Sequence, residues 1–118
     1  MELEVGIYVR TKWGIGKYIE DYTNSQNLTW RVLQGCSNYN NQEDWQNLFC
    51  DSEIIKASHN IIDLIEVGDY VNGVKINAVY DDFVWNSGEY GGAISFHEED
   101  IKSIVTKEQM EAIQYKVV

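Results

Sequence analysis

The pentapeptide Val5-Gly6-Ile7-Tyr8-Val9 returns, changed at one position, as Val67-Gly68-Asp69-Tyr70-Val71, and this echo constrains the chain more than any other feature. Both copies are rich in β-branched and aromatic residues, the types that fit a pleated, half-buried surface, and each leads through a glycine-containing turn into a second apolar run. A chain of 118 residues can be one ordinary domain or two very small ones. The repeat selects two, 1–66 and 67–118. Units of about 50–60 residues bury little surface on their own, so the halves are expected to share an interface and to pack rigidly.

Each unit reads as a run of short strands. In the first, Val5–Val9 is the opening strand, 10–14 the turn, and Ile15–Ile19 a second strand ending at the acidic pair Glu20-Asp21. Thr23–Asn27 is polar enough to turn, and Leu28–Leu33 is a strand with Leu28, Trp30 and Val32 on one face. Residues 36–47 have neither helical nor strand periodicity and form the longest irregular loop. Leu48-Phe49 returns to the core, Asp51–Lys56 is a strand, and Ser58-His59-Asn60 caps a helical turn before a buried strand at Ile61–Ile65. In the second unit Asn72-Gly73 is the dipeptide that a type I′ hairpin turn demands, since both central positions need positive φ. Strands follow at Val74–Tyr80, Phe83–Trp85 and Ala93–Phe96, with another from near Ile101. Thr106-Lys107-Glu108-Gln109 matches a capping box and starts a helix over about 107–114, before a last strand at Tyr115–Val118. Glu53–Ser58 parallels Glu99–Ser103, so the repeat extends past its opening.

Strand, strand, strand, strand, short helix, strand is the order of SH3-like barrels. The expected fold is therefore mainly β, two tandem small SH3-like barrels with a short C-terminal helix. A single OB-like barrel is the alternative.

Charge and cysteine content narrow the function classes. Nineteen Asp and Glu stand against nine Lys and Arg, a net charge of −10. Residues 1–66 carry five basic and ten acidic side chains and residues 67–118 four and nine, so the charge lies along the whole fold. Binding to a phosphate backbone depends on Lys and Arg and is disfavoured, so no direct nucleic-acid contact is expected. Cys36 and Cys50 show no CxxC spacing, the N-terminus has no basic-then-apolar signal, and no apolar run suits a membrane helix. A cytoplasmic protein with reduced thiols and no membrane partner is expected.

Two resemblances add context. The hairpin Val5-Gly6-Ile7-Tyr8-Val9-Arg10-Thr11-Lys12-Trp13-Gly14-Ile15-Gly16-Lys17-Tyr18-Ile19 resembles the first hairpin of CarD-type, RNA-polymerase-interacting Tudor-like domains, where a GDxV strand leads to an HGIG turn and a second strand. Ile7 replaces the Asp and Trp13 the His. Separately, residues 54–73 (Ile54-Ile55-Lys56 through Val71-Asn72-Gly73), with Ile101–Gln109, are similar to small proteins of Firmicutes phages and prophages. That likeness implies a mobile-element protein acting on host machinery.

Reactive motifs are sparse. His97-Glu98-Glu99-Asp100 begins like HExxH, but Ile101 stands where the second His is required. Neither Cys36 nor Cys50 has a basic neighbour to favour a thiolate. Asp81-Asp82 and Glu20-Asp21 read as equivalent acidic turns, with no Asp-x-Asp-x-Asp-Gly loop for Ca²⁺. No catalytic residue, metal or cofactor is expected. Trp30, Phe49, Phe83 and Phe96 are assigned to barrel cores. Tyr39, Glu43, Asp44 and Trp45 in the long loop, with Asp81, Asp82, Trp85, Tyr90, Glu98, Glu99 and Asp100, combine acidic and aromatic groups of the kind favoured at interfaces. The sequence thus points to a non-enzymatic, acidic protein-binding module. Its expected partner is a host or defence protein with a basic surface, inhibited stoichiometrically as an anti-CRISPR would do. A transcription-associated adaptor binding RNA polymerase, or a small-ligand-binding protein, are the alternatives.

Overall fold

A computed structural model describes residues 3–37, 47–88 and 91–113. The fold is mainly β, with small antiparallel sheets and one short helix, and it divides into two compact units, Met1–His59 and Asn60–Val118.

The first unit is one sheet of five strands: β1 (Tyr8–Thr11), β2 (Gly14–Thr23), β3 (Thr29–Gln34), β4 (Leu48–Phe49) and β5 (Ile54–Ser58), in the order β4-β3-β2-β1-β5. Its core is Ile7, Val9, Tyr18, Leu33, Phe49 and Ile54, all buried. Removing each large apolar side chain from water contributes about 1.5–3 kcal/mol. The opening strand starts later than the sequence implies, because Val5 and Gly6 form a turn with Gly6 at φ +98°. The following turn is only Lys12-Trp13, so Arg10 and Thr11 are fully buried strand residues.

Glu20 and Asp21 do not turn the chain. After an irregularity between Tyr18 and Glu20, β2 continues, and Asp21 pairs with Arg31 across the sheet. An acidic pair stays in a strand where a cation faces it. The turn comes at Asn24, whose Oδ1 accepts the N–H groups of Gln26 and Leu28. In β3 the expected face fails: Leu28 is 53% exposed, Val32 and Leu33 are both buried, and Trp30 sits half-buried against Tyr22.

Asp51–Glu53 is a 3₁₀ turn rather than strand, closed by Glu53 Oε1 accepting the Cys50 N–H at 2.8 Å. Ile61–Leu64 is likewise a 3₁₀ helix and not the buried strand its apolar run suggests. Asn60 Oδ1 accepts the Ile62 N–H at 3.1 Å, and the cap decides the conformation, while Ile62 and Leu64 still reach the interior.

The second unit holds two three-stranded sheets: β6 (Tyr70–Val71), β7 (Val74–Lys75) and β11 (Ile104–Val105) in the order β11-β6-β7, and β8 (Ala78–Val79), β9 (Phe83–Asn86) and β10 (Ile94–His97) in the order β10-β9-β8. The expected strand Val74–Tyr80 is broken at Ile76-Asn77. There the Ile76 N–H still reaches Asp69 C=O, and the Asn77 N–H turns to Trp85 C=O. Asn72 (φ +51°) and Gly73 (φ +81°) make the expected turn. The last strand begins at Ile104 rather than near Ile101, because Glu98–Asp100 forms a 3₁₀ turn before it. Helix α1 (Lys107–Ile113) carries its capping box: Gln109 Oε1 accepts the Thr106 N–H at 2.9 Å and Thr106 Oγ1 accepts the Gln109 N–H at 3.2 Å. The expected strand Tyr115–Val118 lies outside the described residues.

The repeat is visible bond for bond. In one copy Gly6 N–H reaches Tyr18 C=O, Ile7 N–H reaches Glu4 C=O, and Tyr18 N–H reaches Ile7 C=O; in the other, Gly68 reaches Ile76, Asp69 reaches Glu66, and Ile76 reaches Asp69. The closing strands match too, Tyr8 and Val9 facing Ser58 and Ala57 as Tyr70 and Val71 face Val105 and Ile104.

Candidate acidic and aromatic face of the second unit

The turn between β8 and β9 is held by the Tyr80 N–H donating to Phe83 C=O at 2.9 Å, which leaves Asp81 and Asp82 exposed at its tip. Asn60 Nδ2 donates to Asp81 C=O at 3.5 Å from below. Tyr80 lies against Phe83 with ring centroids 4.7 Å apart, nearly parallel.

Phe83 is also the register partner of His97, the last residue of β10, and their rings are 5.5 Å apart. His97 opens the 3₁₀ turn Glu98–Asp100, whose Asp100 Oδ2 accepts the His97 N–H at 3.1 Å. This pairing brings two acidic turns distant in sequence to one end of the β9–β10 hairpin. Asp81 and Asp82 precede Phe83 in the chain and Glu98, Glu99 and Asp100 follow His97, so both turns adjoin the contacts among the Tyr80, Phe83 and His97 rings. All five carboxylate residues are exposed, and Tyr80 is 49% exposed.

Such a face suits a cation. An arginine or lysine can lie over an aromatic ring, attracted by the negative π face, while its N–H groups meet carboxylates. Arginine fits best, because its planar guanidinium stacks and pairs bidentately at once.

Of the residues singled out in the sequence, Asp81, Asp82, Glu98, Glu99 and Asp100 are thus brought together. Trp85, two residues beyond Phe83 in β9, shares its side of the sheet and is half-buried, opposite Ala78 and Ser95. Tyr39, Glu43, Asp44, Trp45 and Tyr90 lie outside the described residues. Tyr80, Phe83 and His97 are members that sequence reasoning missed. Phe83 was assigned to the core, yet Val84 and Phe96 point inward and Phe83 is only partly buried. Strict alternation from Val84 would have placed Phe83 and Trp85 together on the outer side.

Burial pushes the Cys36 thiol up to about 11, and burial with the nearby Glu53 carboxylate raises Cys50, so neither is a thiolate at neutral pH. Arg31 is held by Asp51 (Nε to Oδ1, 2.9 Å), by the Tyr18 hydroxyl (2.9 Å) and by Asp21 (3.3 Å), and Tyr18 donates to Asp21 at 2.6 Å. The hydrogen bond from Arg31 lowers the Asp51 pKa, and the bonds that Arg31 makes raise its own. Among the described residues no three His, Cys, Asp or Glu side chains converge as a metal centre would need, and no helix is long and apolar enough to cross a membrane. No protein-family model, curated protein or solved structure matches this chain.

Proposed function

We propose that this chain is a non-enzymatic protein-binding module of two SH3-like barrels that occludes a basic surface on a host nucleic-acid-handling or defence protein, as a stoichiometric inhibitor. The observation that carries this reading is the Phe83–His97 pairing, which gathers two acidic turns around an exposed ring stack. Proteins that handle nucleic acids present Lys and Arg to phosphates, and a net charge of −10 steers such a surface toward the acidic face. The barrel assignment draws support from strand neighbours. The first unit runs β1 to β4 as a meander with β5 returning beside β1; in the second, β11 returns beside β6, with β7 and β8 as two halves of one bent strand.

A photo-reactive residue replacing Tyr80, irradiated in host cells, identifies the partner by mass spectrometry; association of the purified pair is then followed against salt. Neutralising Asp81 and Asp82 to Asn, or Glu98 and Glu99 to Gln, should slow association and flatten its salt dependence, since exposed charges act over a Debye length near ~8 Å in physiological salt. Phe83→Ala should instead speed dissociation, because a desolvated aromatic anchor acts on the off-rate. An acidic partner, or an affinity indifferent to salt and to all these changes, would overturn the proposal. Capture of RNA polymerase would favour an adaptor role instead.

A further inference from the structure

A pocket of about 390 Å³ opens in the second unit on residues the acidic face does not use, lined by Lys75, Asn77, Asn86, Ser87, Gly91 and Gly92. Its size is that of a small-molecule site. The amide side chains in it are oriented by the backbone. Asn77 Oδ1 accepts the Ser87 N–H at 2.6 Å, Asn86 Oδ1 accepts the Gly88 N–H at 2.8 Å, and Asn86 Nδ2 donates to Lys75 C=O at 2.6 Å. Each of these amide oxygens already accepts one backbone N–H, and among the described lining residues the Lys75 ammonium, the Asn77 Nδ2 and the Ser87 hydroxyl are side-chain donors available to a ligand.

The glycines carry the second observation. Gly88 is required by the chain itself, since it sits at φ +71° and a Cβ there would lie 2.5 Å from Gly91 O. Gly91 and Gly92 are not so required. Among the described residues, no left-handed φ is recorded for either and a Cβ on either would meet nothing within 4 Å. What their missing side chains contribute is open volume along the pocket wall.

We infer that this pocket binds the carboxylate of a small ligand, with Lys75, Asn77 and Ser87 as donors to its two oxygens and the ligand body lying along Gly91 and Gly92. A carboxylate fits better than a phosphate dianion, because each further negative charge is repelled by a chain of net charge −10. The site is independent of the acidic and aromatic face, and stands or falls separately.

The test is a titration of the whole chain, followed through its backbone amide NMR signals, with acetate, with acetamide as the uncharged match, and with inorganic phosphate. Acetate should shift Ser87, Gly88, Gly91 and Gly92 saturably with a Kd of roughly millimolar order, the range open to a ligand of so few atoms, while acetamide and phosphate bind more weakly. Lys75→Met should weaken acetate about tenfold, the worth of one charged hydrogen bond. Gly92→Ala should weaken it comparably with an unchanged melting temperature, because the added methyl takes up open space at the pocket wall and meets none of the described residues. Asp81→Asn with Asp82→Asn should leave it unchanged. The proposal is overturned by the absence of saturable shifts, by acetamide or phosphate binding as tightly as acetate, or by acetate affinity unaffected in both the Lys75 and Gly92 variants.

Discussion

Ile7 and Asp69 occupy the same step of the two turns that open the units, and both are buried, one alkyl and one a carboxylate with no exposed surface. Asp69 Oδ2 accepts the Glu66 N–H at 2.8 Å and Oδ1 accepts the Lys107 N–H at 2.9 Å, so one side chain fastens the start of α1 to the first strand of its unit. Removing it strands two N–H donors. Asp69→Ala is expected to cost about 3 kcal/mol, since charge-assisted bonds and buried unpaired donors each count heavily; urea unfolding measures it. The Arg31 cluster is the opposite case, partly exposed and screened, so Arg31→Met should cost only about 1 kcal/mol. Its pH signature is sharper. Asp51 is depressed in the fold relative to its ordinary 3.8, so its contribution is fully present above that value and is lost as pH falls through the folded pKa. Acid-unfolding curves of Asp51→Asn should therefore lack a component that the natural chain loses below about pH 4, with no difference in slope near neutrality.

Among the elements, the β6–β7 turn does more than reverse the chain. Asn72 Oδ1 accepts the N–H groups of Lys102 and Ser103, and Nδ2 donates to Asp100 C=O at 2.8 Å, so the hairpin clasps the segment leading into β11. Asn72→Gly keeps the positive φ but deletes the clasp, and should cost about 2 kcal/mol. Asn72→Ala should cost a further ~1 kcal/mol, because alanine resists the left-handed conformation; the gap between the two variants is the check. The hairpin dipeptide, the capping box and the duplicated plan were legible in the sequence because each is a local rule with local partners. The clasp was not, since Asp100 and Lys102 lie far along the chain. The same limit explains Glu20-Asp21, where Arg31 on the next strand made a charged strand tolerable, whereas at Ile61–Leu64 two local signals competed and the Asn60 cap won over the β-branched run. It also explains why the aromatic part of the candidate face was missed. Its carboxylates advertise themselves as exposed, whereas His97 joins Phe83 only through a cross-strand register that no nearby residue announces.

For the whole molecule, net charge dominates. Nineteen acidic side chains against nine basic ones repel one another in the folded state, and the ion pairs of Asp21, Asp51 and Glu66 are partly exposed to solvent. Moderate salt should therefore raise the melting temperature, because screening relieves repulsion more than it weakens those exposed pairs. A melting temperature that falls between low and physiological ionic strength would contradict this balance. The charge was readable from composition alone; its concentration at the end of the β9–β10 hairpin was not.

The matched ladders of the two units also bear on how the chain acquires its structure during synthesis. β6 leaves the ribosome well before β11, its own closing partner, while β5 is already made and shares the register that β6 accepts. Tandem repeats of this kind invite mispairing. Asp69 discriminates between the two partners. Its carboxylate is satisfied by the Lys107 N–H that follows β11, whereas the segment after β5 caps itself through Asn60. The single position at which the repeats disagree therefore favours the native pairing, since in the exchanged one Asp69 would keep the Glu66 N–H but lose the Lys107 donor.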